Sequence, residues 1–362
     1  MTADIQGNAA LTGRVASLDA YRGCIMLSML LGTFGLEKVS YAPVAEFIHN
    51  QLTHADWVGF HFEDVILPSF LFVIGIAMEL SDRKRLARGE PYRTRFSHMA
   101  RRTFALFALG FLLTWIGAGK PSFGPGVLQV LALSSFGAWF TLRGSMRIRF
   151  IVFGALLFIY WFFIFTIDVP EAGRNSYILL KNLVYLIDNR LTGSTSRWGY
   201  LYPTITSAAV VIYGTIIGHL FAERGTENRF DKLVAALGIV GILSGLALHP
   251  FIPIIKRMFT PSYTLLTCGL ASLMFLAFQR LIDVRGYARW SFPFVVIGMN
   301  SIFIYLLNGL LSKWLMDTAG VLAGPFAASI GNWMLPLQHM ARLLAEWLLC
   351  FWLWRRGIFF RL

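Results

Sequence analysis

The chain has 362 residues, of which 56% are hydrophobic and only 14% charged, with a formal net charge of +13 and a mean hydropathy of +0.62. A soluble domain carries about a quarter of its residues as charges, so this composition excludes an ordinary soluble globular protein and points to a polytopic membrane protein. The basic excess does not indicate a nucleic-acid partner, because basic and aromatic residues do not interleave outside the apolar runs.

In chain order, apolar runs lie near residues 18–36, 64–81, 103–118, 126–142, 150–168, 201–222, 233–251, 263–281, 291–312 and 334–354. They predict an all-α bundle of about ten transmembrane helices, organised as one domain over 1–362. The first and fourth runs are the weakest. Ser17-Leu18-Asp19-Ala20-Tyr21-Arg22-Gly23 lacks a small-residue cleavage site, so the first run is expected to stay as a span. Asp19 and Arg22 are three residues apart, share a helix face and are expected to form a structural ion pair. Thr33 falls near the end of the same run.

The segment His54-Ala55-Asp56-Trp57-Val58-Gly59 comes next, followed by Glu63-Asp64 and a charge-free stretch from Val65 to Met78. An imidazole and carboxylates at the mouth of a membrane helix are candidates for proton chemistry at the membrane surface. Either Asp64 or Asp56 is available to orient the ring. The competing interpretation makes Trp57 an interfacial anchor and His54 an ordinary loop residue. Farther on, the stretch from Ser176 to Ile187 has apolar residues near helical spacing and reads as an interfacial or capping helix within the outer loop 169–200.

Gln129, Asn300 and Ser301 are uncharged hydrogen-bonding groups inside apolar runs, suited either to joining helices or to lining a polar cavity. The pairs Gly214/Gly218 and Gly241/Gly245 are spaced for close helix packing. Arg342 and Glu346, four apart in the last run, invite a structural pairing. Cys24, Cys268 and Cys350 all sit in apolar runs, with no CxxC and no Cys/His cluster, so buried thiols are expected, without a disulfide or a metal site. Most of the 32 Lys and Arg residues fall in one set of alternate loops, above all 82–102. The positive-inside rule then places both termini in the cytoplasm and His54 on the outer face. The lack of a clear internal repeat weakens a repeat-built transporter.

Several segments, in order along the chain, resemble the heparan-alpha-glucosaminide N-acetyltransferase family, in particular its bacterial inner-membrane members. Ser17-Leu-Asp19-Ala-Tyr-Arg22-Gly23 is similar to the family's S-[VL]-D-x-[FY]-R-G. His54-Ala-Asp-Trp57-Val-Gly59 resembles H-x-x-W-x-G, and Asp64-Val-Ile-Leu-Pro68-Ser-Phe70 resembles D-L-[VI]-F-P-x-F. Gly126-Val-Leu-Gln129 resembles G-V-L-Q, and the segment from Pro253 through Lys256 to Ser262 resembles P-x-N-K-x-L-W-[ST]-x-S. Gly298-Met-Asn300-Ser301-Ile and the ending from Arg355 also match.

The resemblance implies a multi-pass inner-membrane enzyme that moves an acetyl group from cytosolic acetyl-CoA to an amino sugar or glycan acceptor on the periplasmic side. It makes His54 catalytic, with Thr33 and Asp64 beside it. It assigns Gln129, Lys256, Ser262, Asn300 and Ser301 to acetyl-CoA, needs no metal, and leaves a homodimer within membrane lipid open. Two departures stand out: Thr33 replaces the asparagine of the lysosomal members, and Ile255 replaces the asparagine of P-x-N-K. The chemistry agrees with this implication. Acyl transfer from a thioester needs a base near neutrality, for which imidazole is suited. It also needs hydrogen-bond donors for the oxyanion, such as Thr33, Asn300 or Gln129. The basic loop 82–102 is placed to help hold the coenzyme phosphates, although the positive-inside effect already accounts for it. The alternative class is a proton-coupled transporter of a sugar or lipid-linked sugar, with His54, Asp64 and Asp19 relaying protons. A non-catalytic scaffold is the third.

Overall fold

A computed structural model describes residues 15–36, 43–119, 126–193, 201–224 and 227–360. The helices in chain order are α1 (Ala16–Leu31), α2 (Pro43–Gln51), α3 (Ile66–Ala87), α4 (Tyr92–Ala118), α5 (Val127–Trp139), α6 (Met146–Thr166) and α7 (Leu183–Thr192). They continue with α8 (Thr204–Ala222), α9 (Glu227–Leu248), α10 (Pro261–Gln279), α11 (Phe292–Met299), α12 (Ser301–Ala323), α13 (Ala327–Ile330) and α14 (Met334–Arg355). The all-α expectation therefore holds, apart from a two-stranded ribbon of β1 (Tyr177–Ile178) and β2 (Lys181–Asn182).

Among the described residues, six helices are long and apolar enough to cross a membrane, or seven if a bent pair counts as one span. Every apolar run of the sequence does fold as helix, but the count of about ten is not reached on this measure. The first run gives α1, whose 16 residues reach about 24 Å at 1.5 Å per residue, short of a bilayer core of about 30 Å. The fourth gives the short α5. The tenth gives α14, which carries Arg342, Glu346 and Arg355 and is too polar. The ninth is the bent pair, broken at Asn300 with a turn of 79° between α11 and α12.

The stretch from Ser176 is a second correction. Its first half is the β1–β2 ribbon, and helix begins only at Leu183. Asn182 caps that helix by accepting from the Tyr185 amide at 2.9 Å, and Leu180 takes a positive φ of 62° that no helix allows. Local polar groups outweigh the apolar spacing here. The remainder of this loop, 194–200, and the first part of the loop ahead of His54, 37–42, lie outside the described residues.

The chain divides into two compact units. The first holds the segment up to His54, then His61–Ile66, then the chain from Met274 to Arg361. In it α1 packs along α11, α14 packs on α11 and α12, and a small core gathers Ala20, Ile282, Ala288 and Val295. The second holds Ala55–Phe60 and Leu67–Leu273. There α8 packs against α5 and α6. It also approaches α3 so closely that a Cβ on Gly75 would stand 2.2 Å from the Val211 carbonyl oxygen, and one on Gly214 would stand 2.3 Å from that of Phe72. Both glycines are required by helix proximity. Gly241 and Gly245 of α9 likewise lie against backbone atoms of α10.

Candidate active site

The sequence His61-Phe62-Glu63-Asp64 sets up the site, because it opens α3 with a single 3-10 turn over Phe62–Val65. Asp64 is the third residue of that turn and reaches back, its Oδ2 accepting from the His61 amide at 2.9 Å. The helix start therefore fixes the position of the carboxylate. Asp64 is fully buried, and its other oxygen, Oδ1, lies 3.2 Å from His54 Nδ1. A carboxylate only accepts, so the proton of the neutral ring sits on Nδ1 and the lone pair on Nε2. The His54 side chain is 34% exposed, so one edge of the ring is buried against Asp64 while solvent reaches the residue. A buried carboxylate against an imidazole that solvent reaches is an arrangement chemically capable of general-base work.

The short loop that carries His54 is tied down by two further bonds. His61 donates from Nδ1 to the Thr53 carbonyl at 3.0 Å, and the Phe62 amide donates to Gln51 Oε1 at 3.1 Å. Both join α2 and the residues after it to the start of α3. The choice left open between two aspartates is thereby settled geometrically: Asp64 meets the ring, whereas Asp56 is exposed. The roles of Gln51, Thr53 and His61 are not legible in the sequence, because backbone-directed bonds across a loop leave no spacing signature.

In the second unit, the rest of the His54-x-x-Trp57-x-Gly59 motif is held separately. Trp57 Nε1 donates to the Tyr177 carbonyl at 2.7 Å, and the Gly59 amide donates to the Ile254 carbonyl at 3.0 Å. Trp57 packs on a core that includes Tyr160, Leu183, Tyr202, Ile255 and Met258.

The other candidate residues take these places. Asp19 and Arg22 pair at 2.9 Å, and Ser17 Oγ donates to Asp283 at 2.5 Å beside them. Thr33 lies in the turn that ends α1, its carbonyl accepting from the Leu36 amide at 3.1 Å. Gln129 is fully buried and caps α5, with Oε1 accepting from the Gly126 amide at 2.8 Å. Lys256 is buried, and its carbonyl accepts from the Phe259 amide at 2.9 Å. Ser262 Oγ donates to the Pro253 carbonyl at 3.1 Å. Asn300 sits at the bend, donating to the Ile358 carbonyl at 3.2 Å and accepting from the Phe360 amide at 3.1 Å, with Ser301 opening α12 after it. Arg342 and Glu346 turn away from the expected mutual pairing. Arg342 donates to the Leu30 carbonyl, and Glu346 accepts from Asn308 at 3.2 Å. Among the described residues, no group of three or more His, Cys, Asp or Glu is arranged to hold a metal ion.

A family model described as heparan-alpha-glucosaminide N-acetyltransferase, catalytic, matches residues 14–252. The chain belongs to this family. Among its relatives, the heparan-alpha-glucosaminide N-acetyltransferase of Mus musculus is 24% identical over 367 residues, which cover 83% of this chain and 54% of the relative. The Homo sapiens protein of the same name is 23% identical over 363 residues, covering 82% of this chain and 53% of its own length. The chain thus spans about half the length of the curated relatives it matches. Asp19, Arg22, Thr33, His54, Asp64 and Gln129 fall inside the region matched to the acetyltransferase family, while Lys256, Ser262, Asn300 and Ser301 lie beyond it.

Proposed function

We propose that the protein is a multi-pass membrane acetyltransferase of the bacterial inner membrane, transferring the acetyl group of cytosolic acetyl-CoA to an amino sugar or glycan acceptor on the periplasmic side. The observation that carries this is the Asp64–His54 dyad at the start of α3, inside the region matched to the family. In this scheme Asp64 holds the Nδ1–H tautomer, and Nε2 takes the proton from the acceptor amine as its nitrogen attacks the thioester carbonyl. The new C–N bond forms, the C–S bond breaks, and the departing thiolate leaves with a proton from the imidazolium. Direct transfer in a ternary complex needs no covalent enzyme intermediate, so His54 acts as a base. Thr33 is assigned to the oxyanion, and Gln129, Lys256, Ser262, Asn300 and Ser301 are the residues that the family resemblance assigns to acetyl-CoA. The whole chain, 1–362, is taken as the catalytic unit.

The test is a screen of glucosamine-type acceptors with purified protein and labelled acetyl-CoA. Label should appear on an amino sugar with the wild-type chain and not with His54→Ala. An absence of transfer and of acetyl-CoA hydrolysis across the screen, from folded protein that binds acetyl-CoA, rejects the enzyme assignment.

A further inference from the structure

In the second unit, the basic end of α3 and the first turns of α4 enclose a cavity of about 100 Å3. Three arginines, Arg85, Arg95 and Arg102, line it together with a single carboxylate, Asp82, over a floor that includes Met99 and Trp139. We propose that this cavity binds a phosphate oxyanion.

The positive-inside effect explains why the segment 82–102 is rich in Lys and Arg. It does not explain why three guanidinium groups converge on one hollow, since like charges repel and each prefers water. Arg85 pairs with Glu90 at 2.9 Å and Arg95 with Asp82 at 2.5 Å. Arg95 is nevertheless more than nine-tenths buried, at 8% exposure, and its Nε donor has no hydrogen-bond partner among the described residues. A buried donor without an acceptor is unfavourable unless something supplies one. A phosphate supplies several acceptor oxygens with one negative charge as a diester or about two as a terminal monoester, and the planar guanidinium fork matches its geometry. Met99 and Trp139 are themselves buried and lower the local dielectric, which strengthens a charge pair formed there. The volume admits one phosphate group and excludes a nucleobase or sugar, so the ligand is anchored by a phosphate and extends outward. Two sources present such a group: the nucleotide end of a coenzyme, and the headgroup of an anionic phospholipid. The proposal does not depend on the acetyl-transfer assignment, since phosphate binding is measured by itself.

The experiment uses the full chain in phosphatidylcholine nanodiscs, with thermal unfolding read against coenzyme A and 3′-dephospho-coenzyme A. A second arm compares phosphatidylcholine discs with discs containing phosphatidylglycerol. One of the two sources should raise the Tm. Arg102→Gln and Arg95→Lys should weaken that response by about tenfold or more in apparent affinity, the low end for a charged hydrogen bond. Arg102→Gln leaves the Asp82–Arg95 pair in place, so it carries the test if changes at Arg95 prevent folding. A Tm that responds to neither source overturns the proposal, as does a response that both arginine variants retain in full. Coenzyme A binding that ignores these variants sinks the phosphate site and leaves acetyl transfer standing. Phosphate binding without acetyl transfer does the reverse.

Discussion

A Cβ placed on Gly298 would stand 1.9 Å from the carbonyl oxygen of Asp19, and one on Gly23 would stand 1.8 Å from that of Phe294. The two glycines bring α1 and α11 into backbone contact in the first unit, beside the Asp19–Arg22 pair and the Ser17–Asp283 bond. Backbone atoms on both sides cannot give way as a flexible side chain can. Gly298→Leu is therefore expected to destabilise the fold by ~3 kcal/mol or more, at the upper end of overpacking costs. Thermal unfolding in detergent checks it, and a Tm within a degree of wild type would show that the helices separate freely.

Glu79 and Arg149 form a second internal tie, at 2.8 Å and each 3% exposed. Arg149 also donates to the carbonyls of Thr215 and Leu142, while Arg83 and His219 both reach Glu79 Oε1. Removing one partner leaves a buried charge without compensation, so Glu79→Ala should cost about 3–5 kcal/mol. The double change Glu79→Leu with Arg149→Met should recover most of that loss in the same unfolding assay. Equal losses in the single and double variants would count against pairing as the cause.

How far the sequence reveals this molecule varies with the type of interaction. The long apolar runs, the Asp19–Arg22 pair and the small-residue contacts are legible, because helix periodicity and spacing express them directly. The sixteen-residue α1 and the break at Asn300 are not, because hydropathy does not register where a helix ends inside an apolar run. The β1–β2 ribbon is hidden because Asn182 and Leu180 override apolar spacing locally. At the site, His54 and a nearby carboxylate stand out in the motif. The choice of Asp64 over Asp56 depends on the helix start that turns Asp64 inward, a tertiary fact. Gln129 reads in sequence as suited either to joining helices or to lining a cavity, and its side chain bonds the amide three residues earlier and the Thr114 hydroxyl of α4, so it joins two helices. The Glu79 network is not legible in the sequence because its members lie far apart in the chain, and only the Glu79/Arg83 spacing hints at it.

Tyr177 offers a test by pH. Its hydroxyl is buried without a hydrogen-bond partner among the described residues, and burial pushes its pKa up to about 12. A phenol whose folded pKa exceeds its unfolded value near 10 contributes stability in full below about pH 10. That contribution is lost as pH rises from about 10 towards 12. Tyr177→Phe should be neutral or stabilising by up to ~1 kcal/mol at neutral pH, since no bond is lost. The alkaline difference spectrum between wild type and variant should show the missing phenol ionising near pH 12. A midpoint near 10 would mean that the hydroxyl is solvated.

The sidedness inferred from basic residues is tested by labelling. Cysteine introduced at Asp56 should react with an impermeant thiol reagent from the periplasm, and cysteine introduced at Arg88 should not. The three native cysteines are partly or fully buried and should contribute little background. Labelling of both positions from one side would reject the arrangement in which the acceptor and the basic segment lie on opposite faces.

The last prediction concerns the dyad. His54→Ala should lower acetyl transfer by roughly 10²–10⁴-fold, the usual contribution of a positioned general base. Binding of acetyl-CoA should remain near normal, because the base acts on the acceptor. Asp64→Asn should also lower the rate by a large factor, about 10²-fold or more, while His54 is present. An amide side chain no longer requires Nδ1 to carry the proton, so the tautomer with the lone pair on Nε2 loses its advantage. His49→Ala should retain the wild-type rate, since His49 lies on α2 outside the motif. If His54→Ala remains folded and turns over normally, the dyad is a structural cap of α3. If Asp64→Asn alone is inactive while its circular dichroism and Tm match wild type, orientation of His54 is the function of the buried carboxylate. If it is inactive because it unfolds, the rate of the Asp64→Asn protein says nothing of orientation, and the rate of His54→Gln becomes the deciding measurement. A wild-type rate there would assign the base to another residue.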